Sequence, residues 1–268
     1  MILPPDVCAI VTENRAAPDA STPGGVTPGA GLAGLVATLT GNLYLVVGTL
    51  VFSTLTVLFG WLPPRGRWVS LMGRSWGRGV LWTGGVRLET RFAAPLSSDQ
   101  SYVFMANHES LFDIPALLAG LPGQTRFLAK RGLFQIPLFG WALKMGGFIS
   151  IDRSDRSRAG ESFAEAIRQL QAGSSAVVFP EGTRSSDGKL LPFQRGGFLL
   201  ALKSGLPIVP VGIHGSRQVR AKKSLRIRPG RVIVSCGRPL DTGDYGVRDK
   251  ARLMEDVRRR VLALSSAA

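Results

Sequence analysis

The stretch Tyr102-Val103-Phe104-Met105-Ala106-Asn107-His108-Glu109-Ser110-Leu111-Phe112-Asp113-Ile114-Pro115 passes from an apolar run to a polar one and back. Its opening residues are β-prone and predict a short buried strand. Ala116-Leu117-Leu118-Ala119, just beyond, predicts a helix. A histidine and an aspartate therefore stand where a strand hands over to a helix, an edge position where functional groups collect in α/β proteins. His108 and Asp113 are five residues apart. On one regular helix, five steps of about 100° would leave them roughly 140° apart. They meet only if His108 lies in the turn and Asp113 in the first helical turn. A carboxylate on one imidazole nitrogen then fixes the tautomer and leaves the other nitrogen to take a proton. The spacing alone equally allows Asp113 to cap the helix, with Pro115 tolerated in its first turn.

Outward from this stretch the chain alternates strand and helix signals. Candidate strands fall at residues 103–105, 127–129, 148–151, 176–179 and 208–213. Residues 225–228 and 231–236 flank Pro229-Gly230 as a hairpin. Phe163, Ala166, Ile167 and Leu170 recur at helical spacing, as do Leu253, Val257 and Val261. The alternation predicts one α/β domain over residues 87–268, with a mixed central sheet flanked by helices.

Upstream the composition changes. Residues 1–30 are rich in Pro, Gly, Ala, Ser and Thr and read as a disordered leader rather than a signal peptide, because no basic start is followed by an apolar core. Residues 20–64 carry no charge, and residues 31–62 are apolar over a length sufficient to span a bilayer. Gly41, Gly48 and Gly60 would also allow a re-entrant pair. Residues 65–91 then hold six arginines against one acid, Glu89. Arg67, Arg74 and Arg78 share a helical face opposite Trp68, Met72, Trp76 and Val80, an interfacial pattern. Residues 31–86 are thus expected to form an N-terminal membrane-associated helical segment. Arginines directly after the apolar run place the rest of the chain on the cytoplasmic side of the inner membrane.

Overall charge agrees with an anionic partner. The chain's 268 residues include 33 Lys and Arg against 18 Asp and Glu, a formal charge of +15. Few aromatics interleave with the basic residues past Arg91, and no nucleic-acid motif occurs, which favours an anionic membrane or a phosphorylated substrate over nucleic acid. Cys8 and Cys236 form neither a disulfide framework nor a zinc motif. Cys236 is expected to be a buried thiol in a reduced compartment.

Three further stretches carry chemistry. Phe179-Pro180-Glu181-Gly182-Thr183-Arg184-Ser185 follows an apolar strand. Its Pro-Glu-Gly is ordinary turn chemistry, yet Arg184 offers a planar fork for phosphate and Gly182 would let the backbone approach an anion. Lys130 and Arg153 each end a strand and would form a basic rim, unless they are only solvated surface charges. Between them Leu133, Phe134, Leu138, Phe139 and Trp141 would wall an acyl chain or simply fill a core. Val209-Pro210-Val211 precedes His214, which is read as structural.

Taken together, these stretches resemble the glycerolipid acyltransferase family, its bacterial 1-acylglycerol-3-phosphate acyltransferases in particular. The matching residues are Asn107-His108 with Asp113, Lys130 through Ile136-Pro137 to Ile151-Asp152-Arg153, Phe179 to Ser185, and Val209-Pro210-Val211. Gly132 stands where family members often carry an acid. The resemblance implies transfer of a fatty acyl group from acyl-coenzyme A or acyl carrier protein to a lysophospholipid hydroxyl in phospholipid biosynthesis. His108 oriented by Asp113 would be the general base. Glu181, Gly182, Thr183 and Arg184, with Lys130 and Arg153, would hold the acceptor. No metal or cofactor is implied, the thioester being a co-substrate. The rival readings are a same-family enzyme acting on glycerol 3-phosphate or a lyso-aminolipid, a serine hydrolase using Ser110 without the usual G-x-S-x-G, and a non-catalytic membrane-binding module.

Overall fold

The computed structural model describes residues 28–62, 65–151 and 156–266. Most of the expected leader, and Arg153, lie outside the described residues. The sheet comprises β1 (Val86–Phe92), β2 (Val103–Ala106), β3 (Thr125–Lys130), β4 (Ile149–Ile151), β5 (Ser175–Val178), β6 (Ile208–His214) and β7 (Gly230–Cys236). Their spatial order is β1-β7-β6-β2-β5-β3-β4. Every neighbouring pair is parallel except β6 with β7, so the sheet is mixed. The helices are α1 (Pro28–Phe59), α2 (Arg65–Thr83), α3 (Asp113–Gly120), α4 (Phe139–Met145), α5 (Arg156–Gln171), α6 (Arg195–Ser204), α7 (Ser216–Val219) and α8 (Lys250–Ser266).

β2 shows why the opening stretch reads as it does. It lies between two parallel partners, and all four of its residues are buried. Phe104 and Ala106 join Val177, Val209 and Val211 in a core covered by α2 and α3. Val103 and Met105 point the other way, into a core with Ala176, Ile208, Phe198 of α6 and Leu253 of α8. A strand covered on both faces needs an unbroken apolar run rather than alternation.

Two expectations about the strands are corrected. Residues 225–228 form no strand. β7 instead pairs antiparallel with β6 and parallel with β1, which occupies both of its edges. The 225–228 backbone is taken by α1: Thr38 Oγ1 contacts Ile227 O at 3.1 Å and Ile227 N at 3.0 Å, and Asn42 Nδ2 donates to Leu225 O at 2.8 Å. β1 escaped notice because it is an edge strand whose Arg87, Glu89 and Arg91 hide any hydrophobic pattern.

α1 is turned inside out relative to an ordinary surface helix. Leu32, Leu35, Leu39, Leu43, Val46 and Leu50 form an exposed stripe at helical spacing. Several of its polar side chains face the protein: besides Thr38 and Asn42, Thr49 Oγ1 accepts from Trp76 Nε1 at 3.2 Å and Thr56 contacts Met72 Sδ at 3.4 Å. Among the described residues, Gly31–Phe59 of α1 is the one stretch long and apolar enough to cross a membrane.

α2 lies between α1 and α3, so its faces differ from the expected wet and lipid sides. Val80 and Val69 are buried while Trp68 is exposed. Arg74 does not share a solvent face with Arg67 and Arg78: its guanidinium donates to Leu121 O at 3.0 Å and Gly123 O at 2.8 Å. The α2–α3 crossing is close, since a Cβ at Gly77 would stand 2.7 Å from the Pro115 carbonyl oxygen. From below, buried Arg126 reaches Ser70 Oγ at 3.1 Å and Gly66 O at 3.3 Å, and burial pulls its guanidinium down to about 10. A helical wheel cannot anticipate carbonyls supplied by distant loops.

Candidate active site

The parallel register builds the site. β2 and β5 pair with Met105 opposite Val178. Three residues further along each chain, His108 meets Glu181, and His108 N donates to Glu181 Oε1 at 2.7 Å. On the other side, Asn107 locks β2 to β6: Nδ2 donates to Ile213 O at 2.9 Å and Oδ1 accepts from Ile213 N at 2.7 Å. Ser185 N then donates to His108 O at 2.7 Å. Both polar groups of the His108 peptide are thus tied to the loop that follows β5.

Asp113 is the first residue of α3 and is fully buried. It does not cap the helix; Phe112 occupies that position without a side-chain bond. Its Oδ2 accepts instead from the preceding turn, from Glu109 N and Ser110 N at 2.8 Å each and from His108 Nδ1 at 2.8 Å. A carboxylate can only accept, so the proton sits on Nδ1 and Nε2 presents its lone pair. The Phe179 ring stacks on the imidazole at 3.8 Å and 14°. The ring is therefore held from one edge and one face, with 15% of its side chain exposed.

The charges around it fall into two groups. Glu109, Asp113 and Glu181 crowd the imidazole. Burial, then Asp113, raises the Glu109 carboxyl above its ordinary range. Burial also raises Glu181, against the pull of the amides of Leu191 and His108. Together these three carboxyl groups form an acidic wall beside the ring. Beyond it lie Arg184, with its carbonyl accepting from Lys222 Nζ at 2.6 Å, and Arg217, which lowers Glu109.

The candidate residues divide accordingly. His108, Asp113 and Glu181 are in one bonded network. Glu181, expected toward the acceptor, is turned into the protein: it is buried, and Oε2 accepts from Leu191 N at 2.8 Å while Oε1 holds His108 N. Its carboxylate positions the histidine loop, and two backbone amides leave it little to offer a phosphate. Gly182 takes φ +73°, which a turn this tight requires of glycine, and its N–H donates to Phe179 O. Thr183 is exposed and Arg184 half-buried in the same turn. Lys130 stands exposed at the end of β3, on the same sheet edge beside β5. His214 is the last residue of β6 and stands beside the end of α8, with Nδ1 3.3 Å from Ser265 O. Ser110 is fully buried with its hydroxyl donated to Arg220 O at 2.7 Å, which removes it as a nucleophile. Sequence reasoning missed the loop after α7; its only signal was the cluster Arg217, Arg220, Lys222 and Lys223.

Comparison with known proteins gives the family and the fold. The family model described as Acyltransferase matches residues 87–214. A 1-acyl-sn-glycerol-3-phosphate acyltransferase of Cocos nucifera is 35% identical over 205 residues, 76% of this chain and 66% of that protein. One from Limnanthes alba is 33% identical over 215 residues, 79% of this chain and 76% of that one. The chain thus spans from about two thirds to three quarters of these relatives' own length. The crystal structure of the 1-acyl-sn-glycerophosphate (LPA) acyltransferase PlsC from Thermotoga maritima superposes with a TM-score of 0.74 at 26% identity, covering 89% of this chain and 96% of that one.

Proposed function

The chain belongs to the acyltransferase family, and from that premise we propose that it transfers a fatty acyl group from an acyl thioester to the sn-2 hydroxyl of 1-acylglycerol 3-phosphate, giving phosphatidic acid. The observation that carries the chemistry is the 2.8 Å bond from His108 Nδ1 to buried Asp113. A hydroxyl is a poor nucleophile until its proton leaves as it attacks. His108 Nε2 takes that proton while the oxygen bonds to the thioester carbonyl carbon. The imidazolium so formed is stabilised by Asp113. The tetrahedral oxyanion then collapses, the C–S bond breaks, and the thiolate of coenzyme A or acyl carrier protein leaves with the proton returned by His108. Donor and acceptor bind together, so no covalent acyl-enzyme is needed. Arg184 and Lys130 hold the acceptor's phosphate, with Arg153 adding charge.

The membrane reading follows from α1 and α2. α1 is fastened along α2 and the 225–228 loop, so carrying it perpendicular through a bilayer would drag Arg67, Arg74 and Arg78 into hydrocarbon. The pair lies instead in the cytoplasmic leaflet of the inner membrane, its exposed leucine stripe in the acyl region. A lyso acceptor then reaches His108 without leaving the bilayer surface. The test is purified protein with labelled acyl-coenzyme A and a panel of lysolipids and glycerol 3-phosphate, with products identified by mass spectrometry. The expected product is phosphatidic acid; acylation of another acceptor in its place, or of none, would overturn the proposal.

A further inference from the structure

α7 and the loop after it form a third wall of the site. Ser110, from the histidine loop, donates to Arg220 O at 2.7 Å. Lys222 Nζ donates to Arg184 O at 2.6 Å, and Arg217 Nη1 donates to Asp187 O at 2.7 Å. Residues 217–222 therefore bridge the turn that carries His108 and the turn that carries Arg184. Directly after this bridge, Lys223 holds φ 66° without being glycine, a strained conformation in the turn from Arg220 to Ser224.

Arg220 is the unusual group. The residue is only 9% exposed, yet among the described residues no carboxylate pairs with it. Its Nε donates to Ser224 O at 2.8 Å, which orients the guanidinium, while Nη1 is buried with no partner. A buried charged donor without an acceptor is destabilising, and native proteins retain few of them. Burial, and after it the like charge of Arg184, holds this guanidinium below the usual arginine range. Two guanidiniums close enough to repel, one of them with an unused buried donor, are arranged for an anion that joins them.

We propose that Arg220 is a second guanidinium of the substrate site, which grips phosphate-ester oxygens through Nη1 together with the fork of Arg184. The proposal rests on the acyl-transfer reading for its substrate. The phosphate ester is either the acceptor's glycerol phosphate or a phosphate of the thioester carrier. Arginine suits both because its planar donors match phosphate oxygens in pairs.

The experiment uses the full chain in detergent, as wild type, Arg220→Gln and Arg220→Lys. Thermal stability is followed against glycerol 3-phosphate and, separately, coenzyme A, and KM is measured for lysophosphatidic acid and for acyl-coenzyme A. Arg220→Gln should raise one of the two KM values about tenfold or more and lose the thermal shift given by the matching probe. Loss on the glycerol 3-phosphate arm assigns Arg220 to the acceptor; loss on the coenzyme A arm assigns it to the donor. With the repulsion from Arg184 removed, the unliganded variant should melt no lower than wild type. If Arg220→Gln does not fold, Arg220→Lys, which keeps charge but not the fork, must show the same KM increase. A lowered melting temperature with both KM values and both shifts unchanged would make Arg220 structural and overturn the proposal. If wild type acylates no lysolipid, the acyl-transfer reading falls, and the thermal arms still decide Arg220: retained shifts in the variants overturn it, lost shifts support it.

Discussion

At the ends of β2 and β5, polar groups point inward and are bound there: His108 with Asp113, Glu181 and Ser185, and Asn107 with the Ile213 backbone, at 2.7–2.9 Å. Along α1 polar groups also point inward, toward α2 and the 225–228 loop, but the outer face is leucine and valine. The first region bonds most of its polar atoms within the protein, with buried Asp113 Oδ1 the exception, and leaves one imidazole nitrogen open. The second does the same and leaves an apolar surface for solvent to reject. The sheet edge is therefore tied down by the protein alone, whereas α1 leaves an apolar face that, on the proposed membrane reading, lipid covers.

The largest expected effect separates geometry from fold at the sheet edge. His108→Ala should lower turnover by on the order of 10³-fold, with an unchanged circular dichroism spectrum. Asp113→Asn should approach the same loss, because an amide cannot accept from three donors at one atom and also fix the Nδ1–H tautomer. Near-normal turnover in His108→Ala would sink the assignment.

Opposite faces of α1 should respond differently. Leu43→Lys puts a charge on the exposed stripe, at about 2 kcal/mol or more if that face lies in lipid, and should release part of the protein from membranes in a carbonate or high-salt wash that wild type survives. Thr38→Val removes both contacts with Ile227 and should cost about 1–3 kcal/mol in folding stability while leaving membrane retention intact. If the inner substitution frees the protein from membranes and the outer one does not, α1 is oriented the other way.

The smallest effect tests the sheet itself. Burial pushes the Cys236 thiol up to about 12 from its ordinary value of 9.0. Between those values the unfolded chain has lost the proton and the folded chain keeps it. The thiol's contribution is therefore complete below pH 9.0 and is lost as pH rises toward about 12. Melting curves of wild type and Cys236→Ala should converge over that interval; parallel curves would show the thiol to be accessible.

Legibility in the sequence differed by region for a physical reason. β2 and β5 are strands covered on both faces, so burial writes itself as an uninterrupted apolar run. The turn between His108 and Asp113 spans a few residues, so chain geometry alone limits how they can meet. The α1 stripe was visible because uncharged residues over that length have few other uses. β1 was hidden because an edge strand tolerates charges, and the 225–228 hairpin was wrongly expected because Pro229-Gly230 describes a turn but not which backbone lies beside it.

What the sequence by itself determined was which residues must leave water and which local turns are possible, since both depend on side-chain chemistry and near neighbours. Only the tertiary structure decided the partners. It gave the two oxygens of Glu181 to backbone amides, Arg74 to the carbonyls of Leu121 and Gly123, and Arg220 a buried place within reach of the Arg184 charge. Those partners come from segments 10 to 73 residues away, brought together by strand register and helix packing, and a polar group's role is set by the partner it finds there.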